Sequence, residues 1–124
     1  IGTRVPLYCT ASGKLYLSTL PKSRRKAVIN KLKLEARAKN TITNPDMLLA
    51  EIDNVKRQQV SIDNQELYDD IVAIAVPITD KQGRFYSSLA IQAPVSRISI
   101  HQSDRYVPIL REAANDLAML AEDE

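Results

Sequence analysis

Residues 60–93 carry the clearest pattern of hydrophobic and polar positions in the chain. The run Ile71-Val72-Ala73-Ile74-Ala75-Val76-Pro77-Ile78 is apolar throughout, which predicts a strand covered on both faces. Side chains alternate along a strand, so Val72, Ile74, Val76 and Ile78 share one face, all of them bulky and β-branched. Ile71, Ala73, Ala75 and Pro77 share the other, which is mostly small. The stretch from Phe85 to Ala93 repeats the division, with Leu89 and Ile91 against Ser88, Ala90 and Gln92. Asp80-Lys81-Gln82-Gly83 between the two runs reads as a short hairpin loop, with Gly83 at its left-handed position. Val60-Ser61-Ile62 reads as a further short strand, followed by an acidic loop at Asp63-Asn64-Gln65-Glu66. If the small sides of the two longer strands coincide, one sheet face is packed and the other is shallow. A shallow face either lets a helix pack close or holds a ligand, since ligand sites are concave and mostly apolar with a few polar groups.

Helical periodicity fills most of the remaining chain. Residues 1–8 are short and β-like. Thr10 or Ser12 caps a helix running to about Leu20, with Ala11, Leu15 and Tyr16 near one side. Gly13 in its first turn implies a packing or ligand-approach requirement. Pro21 opens a second helix over about 22–33 with a stripe of Val28 and Leu32. Residues 40–43 are β-like or a turn. Thr43 or Asn44, then Pro45 and Asp46, start a third helix, whose Leu48, Ile52 and Val55 recur at amphipathic spacing. A last helix follows Ser103. Pro108 is awkward inside it, so its regular part is expected from near Val107, with Val107, Leu110, Ala114, Leu117 and Ala121 covering the sheet or meeting a subunit. Helices that precede a mostly antiparallel meander make an α+β fold rather than a doubly wound one.

Composition narrows the class. A chain of 124 residues, 44% hydrophobic and 26% charged, is one soluble globular domain with an adequate core. Aromatic residues are 5% and Trp is absent, so that core is aliphatic. A net charge of +2 points to neither nucleic acid nor membrane, and no apolar run approaches a membrane span. The basic cluster of Lys22, Arg24, Arg25, Lys26, Lys31, Lys33, Arg37 and Lys39 lacks interleaved aromatics and reads as a solvated helix face. The single Cys9 excludes an internal disulfide and suits a reducing, cytoplasmic setting. The chain starts at Ile1 within structured sequence, which suggests a piece of a longer protein.

Reactive chemistry is sparse. Asp63 and Glu66, with Asp69 and Asp70 behind them, offer carboxylates for acid–base work, for a hard cation or for hydrogen bonds from a polar ligand. Cys9 and the sole His101 have no third orienting group. No Gly-rich phosphate loop, CxxC pattern or His cluster is present. The residues favour binding over catalysis, with no catalytic, metal or cofactor site.

Three stretches resemble the IclR family of bacterial transcription regulators. Residues 2–14, Gly2-Thr3-Arg4-Val5-Pro6-Leu7-Tyr8-Cys9-Thr10-Ala11-Ser12-Gly13-Lys14, resemble its G-x-x-x-P-L-x-x-x-A-x-G-K signature. Asn40-Thr41-Ile42-Thr43 resembles the segment before its next helix. Asp63 to Glu66, then Ile74 to Ile78, Asp80, Gly83 and Arg97, resemble its D-x-E-E, I-A-x-P-V-x-D-x-x-G and S-R core. The resemblance implies a GAF-like, profilin-like effector-binding domain: α+β, a mostly antiparallel sheet with helices packed on it. It implies no enzyme activity, a small-molecule partner such as an organic acid, and self-association as dimer or tetramer. DNA would be reached only through an N-terminal winged helix-turn-helix absent here, and upstream strands of the domain would be missing.

Carried over by position, the family's pocket falls on Ala11, Ser12, Asp63, Ile71, Ala73, Ala90 and Gln92, close to the shallow face derived above. Backbone N–H groups near Ala11, Ser12 and Gly13 would hold an anionic group. Asp63 would accept from a hydroxyl or amine, Gln92 and Ser88 would add directional hydrogen bonds, and Ile71, Ala73 and Ala90 would form the apolar wall. Asp70 stands where the family commonly has Gly, and with Asp69 it adds negative charge near the mouth, favouring a hydroxylated or mixed-charge ligand. Two other readings remain: an interaction module whose shallow face is packed or completed by another chain, and a small hydrolase using Asp63 and Glu66.

Overall fold

The structure, a computed structural model, describes residues 6–122. Its elements are α1 (Ala11–Thr19), α2 (Lys22–Lys31), α3 (Pro45–Gln58), β1 (Ser61–Asn64), β2 (Ile71–Thr79), β3 (Phe85–Pro94) and α4 (Ser103–Glu122), with a single 3-10 turn, Ile100–Gln102, leading into α4. The strands form one antiparallel sheet in the order β1-β2-β3, and helices pack on it, so the fold is α+β.

The register brings like faces together. Ala73 pairs with Gln92, Ala75 with Ala90 and Pro77 with Ser88, while Ile74 pairs with Ile91 and Val76 with Leu89. The small sides of β2 and β3 therefore coincide. Against the branched side lies α4: Val72, Ile74, Val76 and Ile78 form a core with Ile98, Leu110 and Ala114. Against the small side lies α1: Ala11 and Leu15 meet Ala73 and Ala75, with Val55 of α3 behind them. A further cluster of Tyr8, Cys9, Leu17, Ile29, Leu48 and Ile52 ties α1, α2 and α3 together. Fully burying each Leu or Ile contributes roughly 1.5–3 kcal/mol, so these contacts hold α3 where caps alone could not.

Local signals explain the helix starts. Thr10 caps α1 by accepting from the Gly13 N–H at 3.0 Å, and its hydroxyl donates to Pro6 O at 2.8 Å. Asn44 caps α3 by accepting from the Met47 N–H at 3.1 Å. Gly13 is required by close approach: a Cβ there would lie 2.5 Å from Thr10 Oγ1 and 2.6 Å from the Leu7 carbonyl oxygen. Arg25, the buried member of the basic cluster on α2, donates to Asp53 at 2.6 Å and to Ser18 O and Leu20 O at 3.1 Å, joining α2 to α1 and α3. Lys22, Arg24, Lys26 and Lys31 are exposed, as a solvated face requires.

The structure revises some of these expectations and decides between others. Residues 1–5 of the β-like start lie outside the described residues, and positions 6–8 are irregular backbone drawn in by the Thr10 cap. Residues 40–43 take the turn alternative, held by Thr41 Oγ1, which donates to Glu66 O at 2.6 Å and accepts from the Ala38 N–H at 2.8 Å. α4 begins at Ser103 and runs through Pro108. The N–H that Pro108 lacks would have bonded Asp104 O, and both residues lie on the exposed side of the helix. On α4, Leu110 and Ala114 are buried while Leu117 is exposed, which narrows the apolar face. A register shift at Ile78/Thr79 pairs Thr79 with Phe85 and turns Phe85 onto the α1 side.

Candidate functional site

Between α1 and the small-residue face lies a cavity of about 460 Å³. Of the positions anticipated from sequence, it brings together Ala11, Ser12, Gly13, Asp63, Ala73, Ala90 and Gln92. Ile71 shares the face by alternation but sits at the strand end opposite Pro94, outside the lining. Leu7, Thr10, Tyr16 and Leu67 complete the wall. Ser88 lies at its margin, its hydroxyl 3.2 Å from that of Ser12. The cavity exists because Ala73, Ala90 and Ala11 are too short to fill the space between helix and sheet.

Its polar groups are few and placed on rigid elements. The Gly13 N–H is taken by Thr10 Oγ1 and the Lys14 N–H by Thr10 O. The N–H groups of Ala11 and Ser12 have no partner among the described residues, and they open a helix whose N-terminal end favours an anion. No Lys or Arg lines the wall, and Asp63 is its one carboxylate. Asp63 is only 5% exposed and accepts from the Glu66 N–H at 2.8 Å. Burial pushes its carboxyl above the ordinary range, against the pull of the Glu66 N–H, the Lys14 charge and the Leu67 N–H.

Beneath the Asp63 loop stands the group that sequence reasoning missed. Lys14 is fully buried on α1. Its ammonium donates to Ile62 O at 2.6 Å, to Glu51 Oε2 at 2.8 Å and to both Glu66 oxygens at 2.9 Å. Burial raises the Glu66 pKa, while the charge and hydrogen bond of Lys14 and the N–H of Asn64 oppose the rise. With both oxygens held by Lys14, Glu66 is a structural partner of that side chain rather than half of a catalytic carboxylate pair. In the structure α1 is buried at Ala11, Gly13, Lys14, Leu15, Leu17 and Ser18, nearly all round, so a Lys within it needs an internal anion, which no local sequence pattern announces.

The alternative chemistry does not assemble. Cys9 is buried, and desolvation pushes its thiol up to about 11, while His101 is exposed on the turn before α4. Among the described residues no group of three or more His, Cys, Asp and Glu is placed to hold a metal ion. A second hollow of about 510 Å³ between α1, the end of α3 and the β2–β3 hairpin contains none of the anticipated residues.

Comparison with known proteins gives the site its context. The family described as "Bacterial transcriptional regulator IclR C-terminal" matches residues 1–119. The probable transcriptional regulator SauR of Cupriavidus necator is 39% identical over 116 residues, covering 94% of this chain and 46% of SauR. The crystal structure of the C-terminal domain of E. coli KdgR superposes with a TM-score of 0.84 at 33% identity, covering 96% of this chain and 73% of that one. The inducer-binding domain of a PobR double mutant from Acinetobacter, solved with 3-hydroxybenzoic acid, has a TM-score of 0.88 at 29% identity, covering 95% and 68%. The chain spans about half the length of whole regulators such as SauR. These relatives are transcriptional regulators, not enzymes, and this chain belongs to the IclR family, matching its C-terminal domain.

Proposed function

We propose that this domain binds a small organic effector in the cavity between α1 and the small-residue face of the sheet. What carries the reading is the cavity itself: about 460 Å³, apolar on most sides, with the Ala11 and Ser12 N–H groups, Asp63 and Gln92 at its polar points. The opening of α1 suits a carboxylate. Asp63 suits a hydroxyl or amine, and the absence of Lys or Arg from the wall disfavours a ligand with several negative charges. A hydroxylated monocarboxylic acid meets both requirements. PobR's inducer-binding domain holds such a compound, 3-hydroxybenzoic acid. In the whole regulator, occupancy would bias the arrangement of subunits in a dimer or tetramer, and with it DNA binding by an N-terminal domain. That holds only where the ligand prefers one arrangement.

The test is a thermal-shift and calorimetry screen against 3- and 4-hydroxybenzoate, benzoate, pyruvate and sugar acids. A ligand at about 100 times its dissociation constant adds about 2.7 kcal/mol and moves the midpoint by several degrees. Loss of the shift in Asp63→Ala or Gln92→Ala assigns it to the cavity. The interaction-module reading rests on the outer edge of β3, which pairs with no strand among the described residues and leaves Ala90 and Gln92 exposed. A silent screen, with a longer chain equally silent, would favour it.

A further inference from the structure

We infer that Lys14 is the positioning residue of the effector cavity, holding the turn at residues 62–66 so that the Asp63 carboxyl stands in the wall as an acceptor and selects ligands that donate a hydrogen bond there. The inference rests on the effector reading for its ligand and on geometry for its mechanism. One ammonium pins both ends of the turn: Ile62 O, just before Asp63, at 2.6 Å, and the Glu66 carboxylate, three residues after it, at 2.9 Å. The pinned Glu66 returns two bonds to the turn. Its N–H donates to Asp63 Oδ1 at 2.8 Å, and its Oε2 accepts from the Asn64 N–H at 3.1 Å. Gln65, between them, adopts φ +60°, a conformation an isolated turn holds poorly without such ties. Asp63 thus reaches the cavity by its position in a turn whose floor is Lys14.

The charges agree with this role. Around Asp63 stand Lys14 from α1, Glu66 and the N–H groups of Glu66 and Leu67 from the loop, and Cys9 from the segment before α1. Glu51 from α3 bonds the far side of Lys14. From the sheet come only the neutral Ala73, Ala90 and Gln92. Lys14 is the one positive charge that acts on Asp63 itself, while Arg37 acts on Cys9. Without it the buried Asp63 faces Glu66 and Glu51 alone and takes up a proton more readily. A protonated Asp63 would donate as well as accept and would no longer discriminate.

The experiment compares wild type with Lys14→Met, Lys14→Arg and Glu66→Gln, each read in the unliganded chain by carboxyl NMR titration and amide exchange. In Lys14→Met the Asp63 midpoint rises, and the Glu66 amide loses at least about tenfold more protection than the amides of β2. Lys14→Arg restores most of both. Should Lys14→Met not fold, Glu66→Gln decides, because it frees Lys14 from its counter-ion and lowers the Asp63 midpoint. An unmoved Asp63 titration in whichever variants fold overturns the inference, even where stability drops. For ligands, 3-hydroxybenzoate and benzoate are compared as probes with and without a donor. Wild type prefers the hydroxylated acid, and the ratio falls towards unity in Lys14→Met. An unchanged ratio overturns the inference. Should neither probe bind wild type, the effector reading loses support while the NMR titration still decides the role of Lys14.

Discussion

The two faces of strand β2 differ by a few methyl groups per residue and serve opposite ends. On one, Val72, Ile74, Val76 and Ile78 meet Leu110 and Ala114 of α4, and the branched side chains fill the space between sheet and helix. On the other, Ala73 and Ala75 face α1, and the space left becomes the cavity. One strand thus supplies cohesion by side-chain volume on one side and leaves a cavity by its lack on the other. Truncating the first face should cost stability, and filling the second should cost binding.

The largest effect is expected on the branched face. Ile74 is fully buried, so Ile74→Ala removes its packing and leaves a void, costing about 2–5 kcal/mol. Urea unfolding should show the loss, while effector affinity per folded molecule stays unchanged. Ala73→Leu, one residue along, should do the reverse. It extends a side chain into the cavity, leaves stability within about 1 kcal/mol and weakens effector binding at least about tenfold. Equal effects of the two substitutions on stability would break the comparison.

The division of faces was legible in sequence because period-two alternation is local and the hairpin loop fixes which residues oppose each other. The α3 cap was legible for the same reason: Asn44, Pro45 and Asp46 act within one turn. The Lys14 network was not, since its partners lie 37, 48 and 52 residues away on different elements, and no periodicity announces a buried ion. Nor was the bulge that turns Phe85 inward, because strict alternation places it on the wrong side. The cavity-lining positions were legible only where the shallow face and the motif overlapped. Ile71 shows the limit: alternation assigns a face but not how far along the strand a cavity extends.

A smaller effect separates the two faces by pH. No carboxylate is buried among the branched residues, whereas Asp63 and Glu66 are buried beside the cavity with raised pKa values. A raised native pKa means that the folded chain holds these protons more tightly than the unfolded one. The stability they contribute is present below the unfolded carboxyl range, about 4, and is lost as pH rises through the native values. Asp63→Asn keeps an acceptor for the Glu66 N–H and removes the titration. Urea midpoints measured from about pH 4 to about pH 7 should therefore fall less steeply in Asp63→Asn than in wild type. Asp80, lowered by its bonds with Arg84, has the opposite sign and is common to both proteins. A parallel pair of curves would show that Asp63 titrates alike in folded and unfolded chains.

Asp70 marks the smallest effect, at the entry of β2 where the two faces begin. Its φ is +64°, the conformation that glycine adopts without cost and that the usual Gly of the family anticipates. The backbone does the bonding here: the Asp70 N–H donates to Gln65 Oε1 at 3.1 Å, and Asp70 O accepts from the Val95 N–H at 2.9 Å. The exposed carboxylate adds nothing to these bonds. Asp70→Gly relieves about 1 kcal/mol of left-handed strain and gives back about 0.4–1 kcal/mol through the freer unfolded chain. The net change should be a stabilisation of less than about 1 kcal/mol. Removing an exposed charge outside the lining should raise affinity for 3-hydroxybenzoate by no more than about threefold, and less at high salt. A clear loss of stability would mean that the Asp70 side chain supports the turn. A salt-sensitive rise well above threefold would place its charge at the mouth of the cavity, and effector choice would then depend on the loop as well as on the small face of the sheet.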